Sequence, residues 1–182
     1  MLDIFKASRT DKFSCHSYAE VYAELLSGRE NEIKHILEIG IQHGYSLEVW
    51  NKVFPNATLY GVDIEKPKEF EIKDNMRLII GDAYQEAFIQ TIKSNFPNVK
   101  FDLMIDDGSH RFDHMCYFAK HFPQFLAENG IMIIEDIPDY DWAENLLKIL
   151  PKNLQPYAKI VDNRHINDRW DDIVVIVDTK KL

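Results

Sequence analysis

The segment from His35 to Asp63 decides the fold of this chain: it opens with His35-Ile36-Leu37-Glu38-Ile39-Gly40 and closes with Thr58-Leu59-Tyr60-Gly61-Val62-Asp63. Each of these runs is short and almost continuously apolar, which predicts a strand buried on both faces. The spacing of apolar side chains between them predicts a helix over 45–53. A strand, a helix and a second strand together predict a β-α-β unit with parallel strands.

The same alternation continues to the end of the chain. Three further apolar runs predict strands, and three amphipathic stretches predict helices. The strands are 76–80, 101–105 and 131–134, and the helices are 83–93, 112–126 and 141–150. The last runs, 157–161 and 173–177, are joined by a polar loop without room for a crossover helix, so they predict an antiparallel hairpin. The predicted fold class is α/β, with five parallel strands, a C-terminal antiparallel hairpin at the sheet edge and helices on both faces.

A helical segment over residues 1–30 precedes the first strand. Ser17 and Glu20 have the spacing of a capping box, and the apolar stripe that follows predicts a helix over 17–27, ended by Gly28. No linker, repeat or low-complexity stretch interrupts the chain. We therefore expect residues 1–182 to form a single domain.

The composition argues against several classes of function. The chain carries 21 Lys and Arg against 30 Asp and Glu, a net charge of −9, which disfavours nucleic acid as a partner. Its apolar runs are far shorter than the roughly 20 residues that span a bilayer. Met1–Lys6 shows no signal-peptide pattern, and Cys15 and Cys116 form no paired motif. We therefore expect a cytoplasmic protein with reduced thiols and no membrane partner.

Every strand of the predicted parallel set ends on at least one carboxylate. These residues are Glu38, Asp63, Asp82, Asp106, Asp107, Glu135 and Asp136. The carboxyl ends of parallel strands meet at one edge, where α/β proteins bind their ligands. Taken singly, such residues are ordinary helix caps and turn residues. Taken together they repel one another, so we expect a cationic ligand at this edge: a sulfonium compound, a metal ion or both.

A dinucleotide is the weaker alternative for the same edge. Gly40 and Gly44 are spaced G-x-x-x-G, so the dinucleotide fingerprint G-x-G-x-x-G is absent. Asp63 suits a ribose diol in either kind of site and does not discriminate between them. A nicotinamide-dependent oxidoreductase of Rossmann type stays open, as does a non-catalytic binding protein of the same fold.

The sequence resembles the class I S-adenosylmethionine-dependent methyltransferases, which have a Rossmann-like seven-stranded sheet. The matching segments are Glu38–Gly44, with the pattern E-x-G-x-x-x-G, Gly61-Val62-Asp63, Gly81-Asp82 and the terminal hairpin. Within this class the chain is similar to a metal-dependent group that includes the macrocin and mycinamicin sugar O-methyltransferases and the 7-hydroxycephalosporin methyltransferases. The residues typical of that group are Thr10-Asp11-Lys12, His16, Tyr18, Asp106-Asp107-Gly108-Ser109-His110, Glu135-Asp136 and Asp171-Asp172.

The resemblance implies an O-methyltransferase that acts on a hydroxyl of a sugar, glycan or natural product, with S-adenosylmethionine as cofactor and Mg²⁺ as helper. The implied cofactor-binding residues are Thr10, Tyr18, Glu38, Gly40, Gly44, Asp63, Ile64, Asp82 and Asp106. The implied metal ligands are Asp107, Glu135 and Asp136, an all-oxygen set that suits Mg²⁺. The implied partner is a small-molecule or sugar substrate, and a homo-oligomer is permitted.

His110 is the implied general base, with Asp107 beside it as the second catalytic residue. The ordinary pKa of histidine, about 6.5, suits removal of a hydroxyl proton near neutral pH. For His43, His114 and His121 we expect solvent or packing roles instead.

Overall fold

The fold is built on one sheet whose strands are those that the apolar runs predict. The computed structural model describes residues 1–68 and 70–180. The strands are β1 His35–Ile39, β2 Thr58–Asp63, β3 Met76–Ile80, β4 Phe101–Asp106, β5 Leu126–Ile137, β6 Ala158–Asp162 and β7 Ile173–Asp178. The helices are α1 Leu2–Lys6, α2 Asp11–Ser14, α3 Ala19–Leu26, α4 Tyr45–Val53, α5 Glu86–Asn95, α6 Phe112–His121, α7 Tyr140–Ile149 and α8 Arg164–Asn167.

The seven strands lie in the order β3-β2-β1-β4-β5-β7-β6. Strands β1 to β5 pair in parallel, whereas β7 is antiparallel to both β5 and β6. The predicted fold class and the hairpin at the sheet edge are therefore confirmed. The order reverses between β1 and β4, and such a switch point is where α/β sheets bind ligands.

Apolar side chains cover both faces of the sheet, as strands of continuous apolar character predict. Successive residues of a strand point to opposite faces, so Leu37 packs with α6 and α7, while its neighbour Ile36 packs with the N-terminal helices and α4. Trp50 and Phe118 are fully buried representatives of the two layers. Among the residues that the structure describes, no helix has the length and apolar character to cross a membrane.

The helix predicted over 112–126 is shorter than expected. Helix α6 ends at His121, and a 3₁₀ turn over Phe122–Phe125 follows it. Pro123 lies at the start of that turn and has no N–H to continue the α-helical hydrogen bonds. Strand β5 then begins at Leu126 and is longer than its apolar centre indicated.

The predicted capping box of Ser17 and Glu20 is wrong. Helix α3 begins at Ala19 without a side-chain cap. The backbone N–H of Ser17 donates instead to Asp172 Oδ2 at 2.9 Å, and Glu20 pairs with Lys6 at 2.8 Å. A carboxylate distant in the sequence has replaced the local partner.

Candidate active site

A cavity of about 650 Å³ opens at the carboxyl ends of the parallel strands. The segments that follow β1, β2, β3 and β4 form its walls, together with the stretch around the start of α2. Its acidic lining residues are Asp11, Asp63, Asp82, Asp107 and Asp136. The predicted gathering of carboxylates at one edge thus occurs, but only some of them face the open space.

Gly40 allows two of the cavity loops to touch. Its φ is +85°, and a Cβ atom at this position would lie 1.9 Å from the carbonyl oxygen of Asp107. Gly44 has a φ of +79° and precedes α4, but it does not line the cavity, and a Cβ there would meet the ring of Phe70. Gly40 is therefore part of the cavity wall, whereas Gly44 serves packing beside it.

Asp63 shapes the loop after β1 and also faces the cavity. Its Oδ2 accepts the backbone N–H groups of Ile41 and Gln42 at 3.1 and 2.8 Å. Ile64 follows as an exposed apolar residue that lines the same wall. A carboxylate next to an apolar surface can bind a diol whose attached ring packs on that surface.

Asp82 and Asp106 both interact with Tyr84. Asp82 lines the cavity and accepts the backbone N–H of Tyr84 at 2.9 Å. Asp106 is buried below the wall and accepts the Tyr84 hydroxyl at 2.5 Å; burial raises the pKa of Asp106 to about 7. Tyr84 itself lines the cavity, and His114 stacks on its ring at 4.2 Å. Tyr84 thus separates Asp106 from the cavity.

Two of the other histidines have positions that the sequence analysis missed. His43 and His114 both line the cavity, where we had expected solvent or packing roles. The signal for His43 was its place in the loop after β1, since that loop meets the ligand edge. His114 is the third residue of α6 and reaches the cavity through its contact with Tyr84.

The side chain of Lys12 enters the acidic edge from α2. Its ammonium group donates to Asp107 and Glu135, and it lies 3.3 Å from Glu38 Oε1. Lys12 is 2% exposed, and Glu38 and Glu135 are no more accessible. The chain itself therefore supplies part of the positive charge that we expected from a ligand. Lys12 belongs to the motif Thr10-Asp11-Lys12, and no role was predicted for it.

The pKa values of this cluster reflect burial opposed by ion pairing. Burial raises the pKa of Glu135 to about 7 and that of Asp107 well above its usual range, although Lys12 opposes both shifts. Burial lowers the pKa of Lys12, but Asp107, Glu135 and Glu38 outweigh that effect and raise it overall. Lys12 is therefore an ammonium ion in the folded protein.

Glu38, an implied cofactor-binding residue, and Glu135, an implied metal ligand, both lie behind the cavity wall and outside its lining. Glu38 Oε2 accepts the indole N–H of Trp50 at 2.9 Å. Glu135 Oε1 accepts the Tyr22 hydroxyl at 2.7 Å, and its Oε2 accepts from Lys12. Both oxygens of Glu135 are thus engaged by the protein.

Asp136 and His110 meet at the cavity wall. Both have a φ of +54°, a strained conformation for a residue with a side chain. Asp136 Oδ2 lies 3.7 Å from His110 Nδ1. Burial lowers the pKa of His110 below its ordinary value, which favours the neutral form of the ring. Such a ring can accept a proton.

Thr10 and Tyr18, both implied as cofactor-binding residues, differ in position. Thr10 precedes α2 and lines the cavity. Tyr18 is fully buried outside the lining, and its hydroxyl donates to Asp136 Oδ1 at 2.8 Å. Tyr18 therefore orients Asp136 from behind the cavity wall.

Among the described residues, two groups of side chains have distances that suit a metal ion. Asp107, His110 and Asp136 each offer a ligand atom, and these atoms lie within 4.8 Å of one another; so do those of His16, Asp136 and Asp171. In the second group His16 Nδ1 is already bonded to Asp172 at 2.6 Å, and Asp171 pairs with Arg169 at 2.8 Å. The first group, which faces the cavity, is the better fit to a divalent cation.

The chain belongs to a family described as a methyltransferase domain, whose model matches residues 37–137. It is 33% identical over 143 residues to the mycinamicin VI 2''-O-methyltransferase of Micromonospora griseorubida, an alignment that covers 73% of this chain and 35% of that enzyme. It is 31% identical over 137 residues to the demethylmacrocin O-methyltransferase of Streptomyces fradiae, covering 71% of this chain and 34% of that enzyme. The chain thus spans about a third of the length of these relatives.

A solved structure of similar fold is that of the MycE methyltransferase from the mycinamycin biosynthetic pathway, in complex with Mg and SAH. It matches with a TM-score of 0.75 and 25% identity over 97% of this chain and 53% of MycE. The predicted resemblance to methyltransferases, and to the macrocin and mycinamicin enzymes in particular, is therefore confirmed. The alternative of a nicotinamide-dependent oxidoreductase has no support in these similarities.

Proposed function

We propose that this chain is the catalytic domain of an S-adenosylmethionine-dependent O-methyltransferase that methylates a hydroxyl of a sugar, glycan or sugar-bearing natural product, assisted by Mg²⁺. One observation carries the proposal: His110, with a lowered pKa, stands beside Asp107 and Asp136 at the wall of one cavity. The relatives support it, because their names describe O-methyltransferases of mycinamicin VI and demethylmacrocin, and MycE was solved with Mg, SAH and mycinamycin VI. We further propose that the domain acts in cytoplasmic carbohydrate modification on a small-molecule substrate.

The proposed cofactor site divides the predicted residues into two sets. Those that line the cavity and would touch the cofactor are Thr10, Gly40, Asp63, Ile64 and Asp82. Asp63 would accept hydrogen bonds from the ribose hydroxyls, as a carboxylate can. Those that support the wall from behind are Tyr18, Glu38, Gly44 and Asp106. Ile64 and Asp82 would flank the adenine, the first by apolar contact and the second beside its amino group.

The donor set at the wall fits a divalent cation. Asp107 and Asp136 would hold it through oxygen atoms, the ligands that Mg²⁺ prefers. Glu135, the third predicted ligand, would have to exchange a bond with Lys12 or Tyr22 in order to join them. Bound S-adenosylmethionine supplies an electrophilic methyl group, and the bound cation lowers the pKa of an acceptor hydroxyl.

His110 is the proposed general base of this reaction. Its Nδ1 faces Asp136, so Nε2 is the ring nitrogen left to accept the hydroxyl proton. The ring is neutral before the reaction, because burial lowers its pKa. Asp136 then stabilises the positive charge that the ring gains, and the cavity wall holds the acceptor hydroxyl in line with the methyl group.

The proposal is tested by ligand binding followed by turnover. S-adenosylhomocysteine is titrated by calorimetry, and sugar-bearing acceptors are then incubated with methyl-labelled S-adenosylmethionine in Mg²⁺ or in EDTA. We expect saturable binding and Mg²⁺-dependent labelling of an acceptor. No detectable heat at millimolar S-adenosylhomocysteine would contradict the cofactor assignment, and undiminished labelling in EDTA would contradict the assignment of the metal.

A further inference from the structure

Lys12 lies where three carboxylates converge at the strand ends. Asp107 and Glu135, at the ends of β4 and β5, accept from its ammonium group, and Glu38 of β1 lies 3.3 Å away. The ammonium group and its contacts with Glu38 and Glu135 are closed to water, since Lys12 is 2% exposed and both glutamates are fully buried, whereas Asp107 also faces the cavity. Without Lys12 the cluster would hold three carboxylates, two of them fully buried, and no positive charge, an arrangement that burial strongly disfavours.

Two of these carboxylates, Asp107 and Glu135, were also predicted as metal ligands. Asp107 directs Oδ2 to Lys12, while it also presents a ligand atom to the cavity with His110 and Asp136. Lys12 and a divalent cation at that wall would therefore share a carboxylate and repel each other at short distance. This repulsion is only partly screened, because solvent is excluded on the side of Lys12.

We propose that Lys12 is a positioning residue that acts as a tethered cation: its ammonium group holds the carboxylates in place before a divalent ion arrives, and weakens the binding of that ion. The proposal rests on the proposed metal-assisted function. Lys12 then keeps the site folded when no ion is bound, and the ion is needed for chemistry and not for structure.

The position of Lys12 does not depend on its ion pairs alone. The next residue, Phe13, stacks on Phe5 with ring centroids 4.4 Å apart and meets Trp50 edge-on at 6.2 Å. On the other side of α2, Arg9 pairs with Glu48 at 2.9 Å. These contacts keep α2 on the domain when the charge of Lys12 is removed, so a substitution there tests the charge.

The test compares Lys12→Met with a matched control, Arg29→Met. Arg29 is also buried and pairs with Asp178 at 2.7 Å, but Asp178 is opposite Ile131, toward the amino ends of the parallel strands and away from the cavity. The midpoint of thermal unfolding is measured in EDTA and in Mg²⁺, and Mn²⁺ affinity is measured by electron paramagnetic resonance. Neither readout needs methyl transfer.

For Lys12→Met we expect a lower unfolding temperature in EDTA, a substantial recovery in Mg²⁺, and a Mn²⁺ dissociation constant about tenfold below that of the wild type. For Arg29→Met we expect a lower unfolding temperature that Mg²⁺ does not restore, and unchanged Mn²⁺ affinity. Equal Mn²⁺ affinity in Lys12→Met and wild type, with no recovery in Mg²⁺, would overturn the proposal and leave Lys12 as an ordinary buried ion pair.

If Lys12→Met does not fold, a second variant is used for the same measurements. Lys12→Met/Glu38→Gln removes one positive and one negative charge and leaves Asp107, Glu135 and Asp136 intact. We expect this variant to fold in EDTA and to bind Mn²⁺ more tightly than the wild type; unchanged affinity would overturn the proposal. Binding of S-adenosylhomocysteine is measured in parallel, because its loss in the wild type would contradict the proposed function and not the role of Lys12.

Discussion

Gly40→Ala is expected to open the cavity wall, because the added Cβ has no space. It would lie 1.9 Å from the carbonyl oxygen of Asp107 and 2.7 Å from the Cα of Gly108, both backbone atoms of the loop after β4. The φ of +85° adds the cost of a left-handed conformation. That conformation costs about 1–2 kcal/mol for alanine, and overpacking adds about 1–3 kcal/mol. We therefore expect the free energy of unfolding to fall by about 2–5 kcal/mol.

Gly28→Ala is the matched control for this substitution. Gly28 has a similar φ of +76°, but a Cβ there meets nothing within 4 Å. Urea denaturation should show a loss of only about 1–2 kcal/mol for this variant. Calorimetry should show unchanged affinity for S-adenosylhomocysteine in Gly28→Ala and a loss of at least tenfold in Gly40→Ala. If the two variants have the same stability and the same affinity, the contact between the loops after β1 and β4 does not shape the cofactor site.

Three further substitutions test residues of the proposed site. His110→Ala should lower kcat by about 10²–10⁴ and leave the affinity for S-adenosylhomocysteine unchanged; a near-normal kcat would exclude His110 as the general base. The activity of the wild type should fall only at a pH below about 6.5, because burial lowers the pKa of His110. Asp63→Ala should weaken the binding of S-adenosylhomocysteine by about tenfold to a hundredfold in calorimetry, because hydrogen bonds to a charged group contribute a binding free energy of that size. Unchanged binding would show that Asp63 does not bind the ribose. Burial raises the pKa of Asp106 to about 7, so the folded state holds more protons than the unfolded state between about pH 4 and 7, and stability falls as pH rises through that range. In urea denaturation Asp106→Asn should reduce this fall, and an identical pH profile would show that Asp106 does not cause it.

The strands could be predicted because their signal is local. A strand buried on both faces is a run of apolar residues, so β1, β2 and β3 have the bounds that the sequence predicts. The end of α6 was less clear, since its apolar pattern continues through Phe122 and Phe125 while Pro123 ends the helix. At Ser17 the predicted capping box does not form, because the backbone N–H of Ser17 donates to Asp172, 155 residues away in the chain.

The sequence predicted which residues lie at the candidate site but not which way their side chains point. The positions of Asp63 and Asp82 at strand ends are enough to bring them to the cavity. The strand pattern could not tell that Glu38 turns toward Trp50 and Lys12, since a buried carboxylate and a ligand-facing one look alike in a sequence. Tyr84 and His114 gave no signal, because their stacking joins the segment after β3 to α6, two parts of the chain that only the fold brings together.

The sequence by itself determined which strands form and which acidic residues end them, because a buried strand and the residue that follows it can be recognised from a few neighbouring residues. Only the tertiary structure decided that Asp107 and Asp136 face the cavity while Glu135 lies behind them. It also decided that the compensating charge is Lys12, which lies 95 residues from Asp107 and 123 residues from Glu135 in the chain. Electrostatic balance in a buried cluster depends on distances between segments that meet only when the sheet has assembled, and those distances leave no periodic pattern in the sequence.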